Sequence, residues 1–532
     1  MQAQSGKIWS AGRDQPVLFW SGVVLLLVLL GCMLLPTLNL GFVADDFFLL
    51  VPDVRLPVTQ SVDDLHRPLR NVTLRLIASR IGIQHVLPYR LLVAASFAAA
   101  LALLFQLTRR LGANRFGALA AVFVLAFCPR NHEVLYWFAA WQDLVAAVAV
   151  LFACLFFLDF RETDRPFCLG LAAIAYLVAL GFKETTAVLP ALLVSIDFYR
   201  ERSTSSFWRR PFWKAYLPFA GILLLYTIYF FWQSGFASLA GRRAGGYYGF
   251  HGFAGVLPGV VRALINIALP FSTGLGLKDI RLWHVAVLLL ESGVLLLLVW
   301  RLQLWPALIL SASWLICTLL PTVAFAVFNA DRYLFVPMLG EAIFVGLLMH
   351  ALVMSPRGRK YSIAAFIALA LYTSAGISQL MISREQWRKA GMEVALVIRE
   401  TMRLCPILPE GSEVDVVNVT YALHPRGAVL SAVFENGLSE ALHANGFSSS
   451  ARILRNFSTP DSEQERLVNE LQRCANLAAG ALTKRIILIE VGGQVRKLDT
   501  PCAASLVDSD RAQRPSAWSL LYSGQSFASR FR

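Results

Sequence analysis

The sequence is poor in charged residues, and above all in acidic ones. Only 15% of the 532 residues are charged, with 34 Asp and Glu against 48 Lys and Arg, whereas 57% are hydrophobic. The mean hydropathy is +0.59. Soluble globular domains carry about 25% charged residues. The low charge therefore excludes an ordinary soluble protein and predicts a chain that crosses a membrane many times.

Cysteine is also scarce, and its spacing carries no metal signature. The 8 cysteines form no Cys-x-x-Cys pair and no Cys/His cluster, so the sequence offers no zinc-finger type of site. Most of them lie in or beside apolar runs, and only Cys405, Cys474 and Cys502 fall in the polar C-terminal part. These three allow at most one disulfide there.

Long apolar runs take the place of the missing charge. A helix needs about 20 apolar residues to cross the hydrocarbon core. Runs near that length occur at 17–40, 90–108, 114–128, 143–160, 167–182, 185–199, 215–233, 284–300, 305–327, 334–354 and 361–381. The first run is longer than a signal-peptide core and has no small-residue cleavage site. We therefore expect a retained anchor whose N-terminus stays in the cytoplasm.

The positive charge of the chain reflects its topology. A net charge of +14 would suggest a nucleic-acid partner in a soluble protein, but here Lys and Arg cluster in short loops between apolar runs, so we expect none. These loops all fall on the cytoplasmic side if segment 255–277, in the outer loop 234–283, forms an interfacial helix and does not cross. We predict a polytopic α-helical membrane protein with 11 crossings in a bacterial inner membrane and a periplasmic C-terminal domain.

The first outer loop, 41–89, places a pair of acids at a membrane edge. "ADDFF" contains Asp45 and Asp46, and "SVDDLHRPLRNVT" follows in the same loop. An ionised Asp can take a proton from an attacking hydroxyl, and two acids can hold a divalent metal ion, Mg or Mn. The plain alternative is a helix cap. A cap explains one acid but not two, and ionisable groups at a membrane favour function.

Several short motifs occur in order on the predicted outer face. They are the Asp45–Asp46 pair, "HRPL" at 66–69, "PRNHE" at 129–133 with Asp143–Leu144 after it, "KE" at 183–184 and "DRYLFVPMLG" at 331–340. In this order they resemble the GT-C superfamily of membrane glycosyltransferases over about residues 17–355. The nearest branch is that of the protein O-mannosyltransferases, which includes transmembrane enzymes with TPR repeats.

The chain departs from that branch at several positions. Cys128, the pair Trp141–Gln142 and Asp331 stand where the branch usually has His, Arg and Glu. No TPR period is visible after residue 382.

The resemblance implies GT-C-like transfer of a sugar from a polyprenyl-phosphate-linked donor to a hydroxyl of a protein, glycan or lipid, with inversion, at the outer membrane face. Asp45 is then the general base and Asp46 the second candidate, and both are candidate metal ligands. Cations must neutralise the departing phosphate, and the candidates are Arg67, Arg332, His66 and Lys183. Supporting roles are expected for Glu133, Asp143, Glu184, Asp331 and Tyr333.

The two arginines each have a structural alternative. Arg67 could form an ion pair inside its own loop with Asp63 or Asp64. Arg332 could be an interfacial anchor whose side chain snorkels to the membrane surface.

Two further segments also have alternatives. Lys183 and Glu184 could form a plain pair at a helix end. The glycine-rich segment 241–253 is either a mobile loop that brings Arg242 and Arg243 to the phosphate or an interfacial aromatic loop without a catalytic role.

After the last predicted span the composition changes. Residues 383–404 have apolar positions at helical spacing and predict an amphipathic helix that leaves the membrane. "EVDVVNVTYAL" and "RIILIEVGG" predict strands, with helices between them. We therefore predict a small C-terminal α/β domain outside the membrane, at about 407–500. The domain division is a transmembrane glycosyltransferase module, 1–382, and an extracytoplasmic part, 383–532.

Two other classes of function compete with a glycosyltransferase. A multi-pass transporter or flippase of envelope lipids predicts polar residues at the bilayer midplane and an internal repeat. This sequence instead concentrates its charges in loops, and its two halves differ. A non-catalytic GT-C-like assembly partner is the other alternative, which the departures at Cys128 and Trp141 leave open, whereas loss of Asp45 and Asp46 would have favoured it.

Overall fold

The computed structural model describes residues 16–51, 67–201, 212–234, 252–269, 281–325, 330–356 and 358–404, and short segments between 413 and 498. The chain divides into two compact units. Unit 1 comprises Met1–Asn39, Val58–Thr73 and Leu87–Arg384, and unit 2 comprises Leu40–Pro57, Leu74–Val86 and Glu385–Arg532. The division at 382 and 383 that we expected for the domains stays a prediction.

The described chain is mainly helical. The α-helices are α1 (Pro16–Leu34), α2 (Asp45–Leu50), α3 (Pro68–Ile81), α4 (Val86–Arg110), α5 (Arg115–Ala126), α6 (His132–Tyr136), α7 (Trp141–Thr163), α8 (Pro166–Phe182), α9 (Leu189–Glu201), α10 (Phe212–Ser234), α11 (Gly252–Ala268), α12 (Leu282–Leu302), α13 (Trp305–Phe325), α14 (Phe335–Met354) and α15 (Arg359–Leu404). Short 3-10 helices lie at Leu35–Asn39, Pro129–Asn131, Phe138–Ala140, Glu184–Val188 and Asp331–Leu334.

Within the described residues, 8 helices are long and apolar enough to cross a membrane, or 9 if one bent pair counts as a span. The bent pair is Arg115–Ala126 with Pro129–Tyr136, which meet at 54°. Pro129 explains the bend, because proline lacks an N–H and disfavours helical geometry in the residue before it. The chain is therefore a multi-pass membrane protein by helix length and composition. The expected total of 11 crossings stays a prediction.

Three expected segments take a more specific form in the structure. The run 185–199 is a 13-residue helix, α9, preceded by the 3-10 helix Glu184–Val188. The expected interfacial segment forms α11 as far as Ala268, with Pro258 inside the helix. The amphipathic stretch 383–404 is not a separate helix, because α15 continues unbroken for 46 residues. No proline interrupts α15, and helix-favouring residues predominate around its residue 383.

Two glycines allow close packing where the polar residues of unit 1 gather. A Cβ at Gly181, near the end of α8, would lie 2.6 Å from the Leu69 side chain at the start of α3. A Cβ at Gly340 in α14 would lie 2.7 Å from the Trp314 side chain in α13. The indole of Trp314 also donates to the carbonyl of Val336 at 3.0 Å. Larger residues at these glycines would push apart helices whose ends carry the site described below.

The described strands all lie in unit 2. They are β1 (Glu413–Val417), β2 (Ala422–Leu423), β3 (Ser431–Ala432), β4 (Ser450–Leu454), β5 (Arg485–Val491) and β6 (Gln494–Leu498). Four of them form a sheet in the order β4-β1-β5-β6, in which β1 runs parallel to β4 and β5, and β6 is antiparallel to β5.

The strands expected near 413–423 and 485–493 are thus present as β1, β2 and β5. The helices that we expected between them lie almost entirely outside the described residues. The α/β character of this part therefore stays a prediction.

Candidate functional site

Polar turns meet at one end of the unit 1 helices. Helices α5 and α8 end there, whereas α7 and α14 begin there, and α5 packs on α14 as α7 packs on α8. The side chains that these turns bring together are Arg67, Glu133, Asp143, Lys183, Glu184, Arg332 and Tyr333. We call this set the charged cluster.

Arg67 lies just before α3 and forms a two-pronged pair with Glu184. Its Nε and Nη2 atoms donate to the two carboxylate oxygens at 2.5 Å each, and its Nη1 donates to Oε1 of Gln142 at 3.2 Å. The same Gln142 oxygen accepts from the buried Arg70 at 3.1 Å. Burial works to lower the pKa of Arg67, but Glu184 outweighs it and the pKa is raised. The guanidinium is therefore a fixed positive charge.

Lys183 follows α8 directly and is almost fully buried. Its Nζ lies 3.1 Å from Oδ1 of Asp143, also buried, and 5.0 Å from the centre of the Tyr333 ring. Burial, together with the positive charges of Arg67 and Arg332, lowers the pKa of Lys183 to about 8, although Asp143 opposes this shift. Lys183 is thus within electrostatic reach of both arginines, and its charge changes just above neutral pH.

Arg332 is held on several sides. Its Nη1 and its backbone N–H donate to the same oxygen of Glu133, at 3.1 and 3.2 Å. The guanidinium carbon lies 4.7 Å from the centre of the Trp137 ring and 4.9 Å from that of Tyr333. Stacking on aromatic rings and a carboxylate together fix the orientation of an arginine. Arg332 is therefore a positioned cation and not a side chain that snorkels to the surface.

Asp331, the residue before Arg332, belongs to a second buried network. Both of its carboxylate oxygens accept from Arg130 Nη1 at 3.2 Å, and Oδ2 lies 2.9 Å from Nε2 of His132. The guanidinium of Arg130 also donates to the backbone carbonyl and to the side-chain oxygen of Asn266, at 3.1 Å each. This network anchors the turn that carries Arg332.

A pocket with about 270 Å³ of empty volume, part of it open, adjoins the charged cluster. Its lining residues are Asp143, Thr185, Thr318, Thr322, Arg332, Tyr333, Val336 and Pro337. Its polar side carries hydroxyl groups, the guanidinium of Arg332 and the carboxylate of Asp143. The empty volume includes open solvent, so the enclosed space is small. The guanidinium and the hydroxyl groups are donors of the kind that an anion requires.

The paired acids lie in unit 2, at the start of α2. Asp46 is fully buried, and its Oδ2 accepts from the backbone N–H of Val43 at 3.0 Å, whereas Asp45 is partly exposed. The residue before them, Ala44, is buried and has φ 43° and ψ −117°, a strained conformation that clusters at functional sites. Asp46 thus holds the chain just before the helix start through the backbone N–H of Val43. Neither acid is the N-cap, because that position is Ala44 and no side chain caps the helix there.

The structure brings most of the expected cations and supporting residues together. Lys183 pairs with Asp143, and Glu184 pairs with Arg67, which is not the plain Lys183–Glu184 pair of the alternative. Asp331 lies beside the cluster in its own network. The expected residues His66, Arg242 and Arg243 lie outside the described residues, as do Asp63 and Asp64. The roles of all these residues stay predictions.

Sequence reasoning missed several members of the site. Arg130 and His132 lie inside the "PRNHE" motif but were not singled out, and Gln142 occupies a position that we recorded only as a departure. The sequence marked Asn266 only as a polar residue in an apolar segment, which is a weak sign of function. It gave no separate reason to select Arg70.

The described residues give a divalent metal ion little support. In the part of the chain that the structure describes, no three His, Cys, Asp or Glu side chains gather as ligands. One oxygen of Asp46 is already engaged by the backbone of Val43. Hard cations such as Mg²⁺ require several oxygen ligands. Metal binding at Asp45 and Asp46 stays a prediction.

No family model matches the chain, and no curated protein matches it. Among solved structures, the chain is similar to ArnT from Cupriavidus metallidurans bound to undecaprenyl phosphate, with 12% identity, a TM-score of 0.49 and 95% of each chain covered. A similarity at this level decides neither fold nor activity.

Proposed function

We propose that this protein is a GT-C-type membrane glycosyltransferase that moves a sugar from a polyprenyl-phosphate-linked donor to a hydroxyl acceptor. The observation that carries the proposal is the gathering of Arg67, Lys183 and Arg332 at one end of the unit 1 helices. A polyprenyl phosphate departs as an anion, and positioned cations in a site with little water stabilise that charge strongly. Arg332 lines the pocket, and the other two cations act electrostatically on one another next to it.

The charged cluster concentrates largely buried ionic groups beside the pocket. Its three cations, Arg67, Lys183 and Arg332, pair with three carboxylates, Glu184, Asp143 and Glu133, and the buried Arg70 shares the Gln142 oxygen with Arg67. Burying ionic groups is costly and is often no more stabilising than apolar packing. So many buried ionic groups around a pocket are typical of a functional site. The fork of Arg67 is occupied by Glu184, so Arg67 acts on a phosphate through its fixed charge.

The reaction that we propose is a direct displacement. The acceptor oxygen forms a bond to the anomeric carbon of the sugar, while the bond from that carbon to the phosphate oxygen breaks. The phosphate leaves with the bonding electron pair, and the hydroxyl proton passes to a carboxylate. Asp45 is our candidate base, because it is partly exposed whereas Asp46 is buried and bound to Val43.

We propose a hexose or a pentose as the sugar, as in the mannosyltransferase-like branch that the motifs resemble. The resemblance leaves open a protein, glycan or lipid as the acceptor. We also propose the bacterial inner membrane as the location, with the N-terminus in the cytoplasm and the C-terminal part in the periplasm.

The first test is sugar transfer from a panel of polyprenyl-phosphate sugars in membranes that contain the protein. Wild type is expected to consume at least one donor. Arg67→Gln, Lys183→Gln and Arg332→Gln are each expected to lower turnover about 100-fold or more, the usual loss when one charge-stabilising donor is removed. The control is Arg403→Gln, because Arg403 is 63% exposed and pairs with Glu400 on its own helix.

A second comparison separates the paired acids. If Asp45 is the base, Asp45→Asn abolishes transfer and leaves unfolding unchanged, whereas Asp46→Asn mainly lowers stability through its contact with Val43. Consumption of no donor by wild type, or full activity in all the variants, would overturn the proposed function.

The orientation has its own test. Asp164 is exposed in the turn between α7 and α8, on the side that we expect to be cytoplasmic. A cysteine there should react with an impermeant maleimide only after the inner membrane is opened. A cysteine at Gln84, in the expected outer loop, should react in intact spheroplasts. Wild type, with its native cysteines, is the control, and the reverse pattern would contradict the proposed orientation.

A further inference from the structure

Arg130 is the most completely bonded arginine of the described chain that the proposed reaction does not use. Its side chain is only 1% exposed. Its three nitrogens donate to both oxygens of Asp331, to the carbonyl and side chain of Asn266, and to the carbonyl of Leu269. Asn266 and Leu269 lie at the C-terminal end of α11. One guanidinium therefore joins the turn 129–131, the 3-10 helix Asp331–Leu334 and the C-terminus of α11.

The contacts with α11 are chemically well matched. The last carbonyls of a helix have no partner within the helix, and its C-terminus carries a partial negative charge. Arg130 supplies both donors and a positive charge at that point. A lysine could not reproduce the arrangement, because its ammonium is a compact charge without the planar fork that reaches several acceptors at once.

A second link runs beside the first. Glu133, three residues after Arg130, accepts from the side chain and the backbone of Arg332, next to Asp331. His132 adds a contact with Asp331 at 2.9 Å. The segment 130–133 thus holds the segment 331–332 through two adjacent ion pairs. One of these pairs is buried, and the other holds the cation that lines the pocket.

We propose that Arg130 is a positioning residue for the donor phosphate: by clamping Asp331 to the end of α11, it holds Arg332 in the direction of the pocket. The phosphate ligand in this inference rests on the proposed function, whereas the clamp between Arg130, Asp331 and α11 does not. Arg130 does not line the pocket itself, so its effect on the phosphate must pass through Arg332.

The experiment compares Arg130→Gln with Arg161→Gln in detergent-solubilised full-length protein. Arg161 is a matched control, since it is also buried, at 9% exposure, and pairs with the buried Asp197 at the other end of the unit 1 helices. Both variants are expected to lower the melting temperature. Only Arg130→Gln is expected to speed hydrogen exchange at 331–334 and to weaken binding of undecaprenyl monophosphate by about 10-fold, as loss of a positioning contact does.

A double-mutant cycle with Arg332→Gln tests the route of the effect. If Arg130 acts through Arg332, Arg130→Gln lowers affinity in wild type but causes no further loss in the Arg332→Gln background. Equal losses in both backgrounds, or equal losses of affinity for Arg130→Gln and Arg161→Gln, would overturn the positioning role.

Two further outcomes keep the test decisive. If Arg130→Gln does not fold, Asn266→Ala is the second variant, because it removes one acceptor of the same guanidinium. It is expected to show the same effects at smaller size, and unchanged hydrogen exchange and affinity in Asn266→Ala would count against the clamp.

If wild type binds no lipid phosphate, the proposed function fails, while hydrogen exchange at 331–334 still decides whether Arg130 holds that segment. Unchanged exchange in Arg130→Gln would contradict the clamp itself.

Discussion

The two ends of the unit 1 helices carry similar ion pairs in very different surroundings. At one end, Arg110 pairs with Asp159 and with Glu162, and Arg200 pairs with Glu162, all with side chains 32 to 40% exposed. One buried pair, Arg161 with Asp197, also lies there. At the other end lies the charged cluster, whose paired side chains range from 3% exposed for Lys183 to 30% for Glu184. The first end bears the basic loops of the sequence, and the second bears its motifs.

This difference teaches how to weigh charges in a membrane protein. Exposed pairs contribute about 0 to 1 kcal/mol and mainly serve topology. Buried pairs carry a large desolvation cost, and apolar residues of the same size would often stabilise the fold equally well. The charged cluster is therefore poorly explained by stability alone, and a ligand that needs its cations explains it better.

The largest expected effect is on stability, from removing one partner of the buried pair. Asp143→Ala leaves the ammonium of Lys183 buried without its carboxylate and should lower the free energy of unfolding by about 3 to 5 kcal/mol. Asp159→Ala, in which Arg110 keeps its bond to Glu162, should cost within about 1 kcal/mol. Thermal unfolding in the same detergent measures both.

The pH dependence of the Asp143→Ala variant gives an independent check. Without Asp143, the pKa of Lys183 in the folded state falls further below that of the unfolded chain, because Asp143 favours the charged form. The unfolded state then binds more protons, and stability should rise with pH from about 7 to 10. Equal losses for Asp143→Ala and Asp159→Ala at every pH would show that burial does not distinguish the two ends.

The next effect concerns geometry at constant charge. Arg67→Lys keeps the positive charge but loses the fork that binds Glu184 twice, and lysine does not replace a bidentate arginine. We expect affinity for a lipid phosphate to fall about 10-fold or more, because a lysine that lacks the two-pronged bond to Glu184 no longer holds its charge at a fixed place beside the pocket.

Arg110→Lys is the matched change at the exposed end and should leave affinity within twofold. Isothermal titration with undecaprenyl monophosphate measures both variants. A similar loss of affinity in the two lysine variants would remove the distinction between fixed and exposed arginines.

The sequence predicted the membrane class and most members of the charged cluster, for physical reasons that particular residues show. Lys183 and Arg332 flank apolar runs, and Arg67 lies in the first outer loop. Helix ends and loops on one side of a membrane meet, so the proximity of these residues followed from counting spans. Hydrophobic runs also predicted α4, α7, α12 and α14.

The partners of those residues could not be predicted in the same way. The pairing of Arg67 with Glu184 and of Arg130 with Asn266 joins residues more than a hundred positions apart. Such pairs depend on which helices pack together, through close approaches such as Gly181 on Leu69, and periodicity within one helix contains no such information. The bend at Pro129 and the unbroken α15 were missed because spans were counted one at a time.

A smaller effect is expected from pH on donor binding. Lys183 has a pKa of about 8, so it is charged below that pH and neutral above it. A phosphate nearby favours the charged form. Binding of a sugar phosphodiester, which does not titrate in this range, should weaken several-fold as the pH rises from 7 to 9.5 and should take up protons near pH 8. Lys183→Gln should bind more weakly at pH 7 and show no such change. A wild-type affinity that is constant across this range would contradict the role of Lys183.

The smallest effect belongs to the exposed end and depends on salt. Arg110→Gln removes contacts with Asp159 and Glu162, whose side chains are 40 and 37% exposed. The free energy of unfolding should fall by at most about 1 kcal/mol at low ionic strength. This difference should vanish at 1 M salt, where the Debye length is about 3 Å. The loss in Asp143→Ala should persist at the same salt concentration, because buried pairs are screened much less. Melting curves of both variants at 0.05 and 1 M NaCl measure this contrast, and a loss in Arg110→Gln that survives high salt would mean that the exposed end is held by more than surface charge.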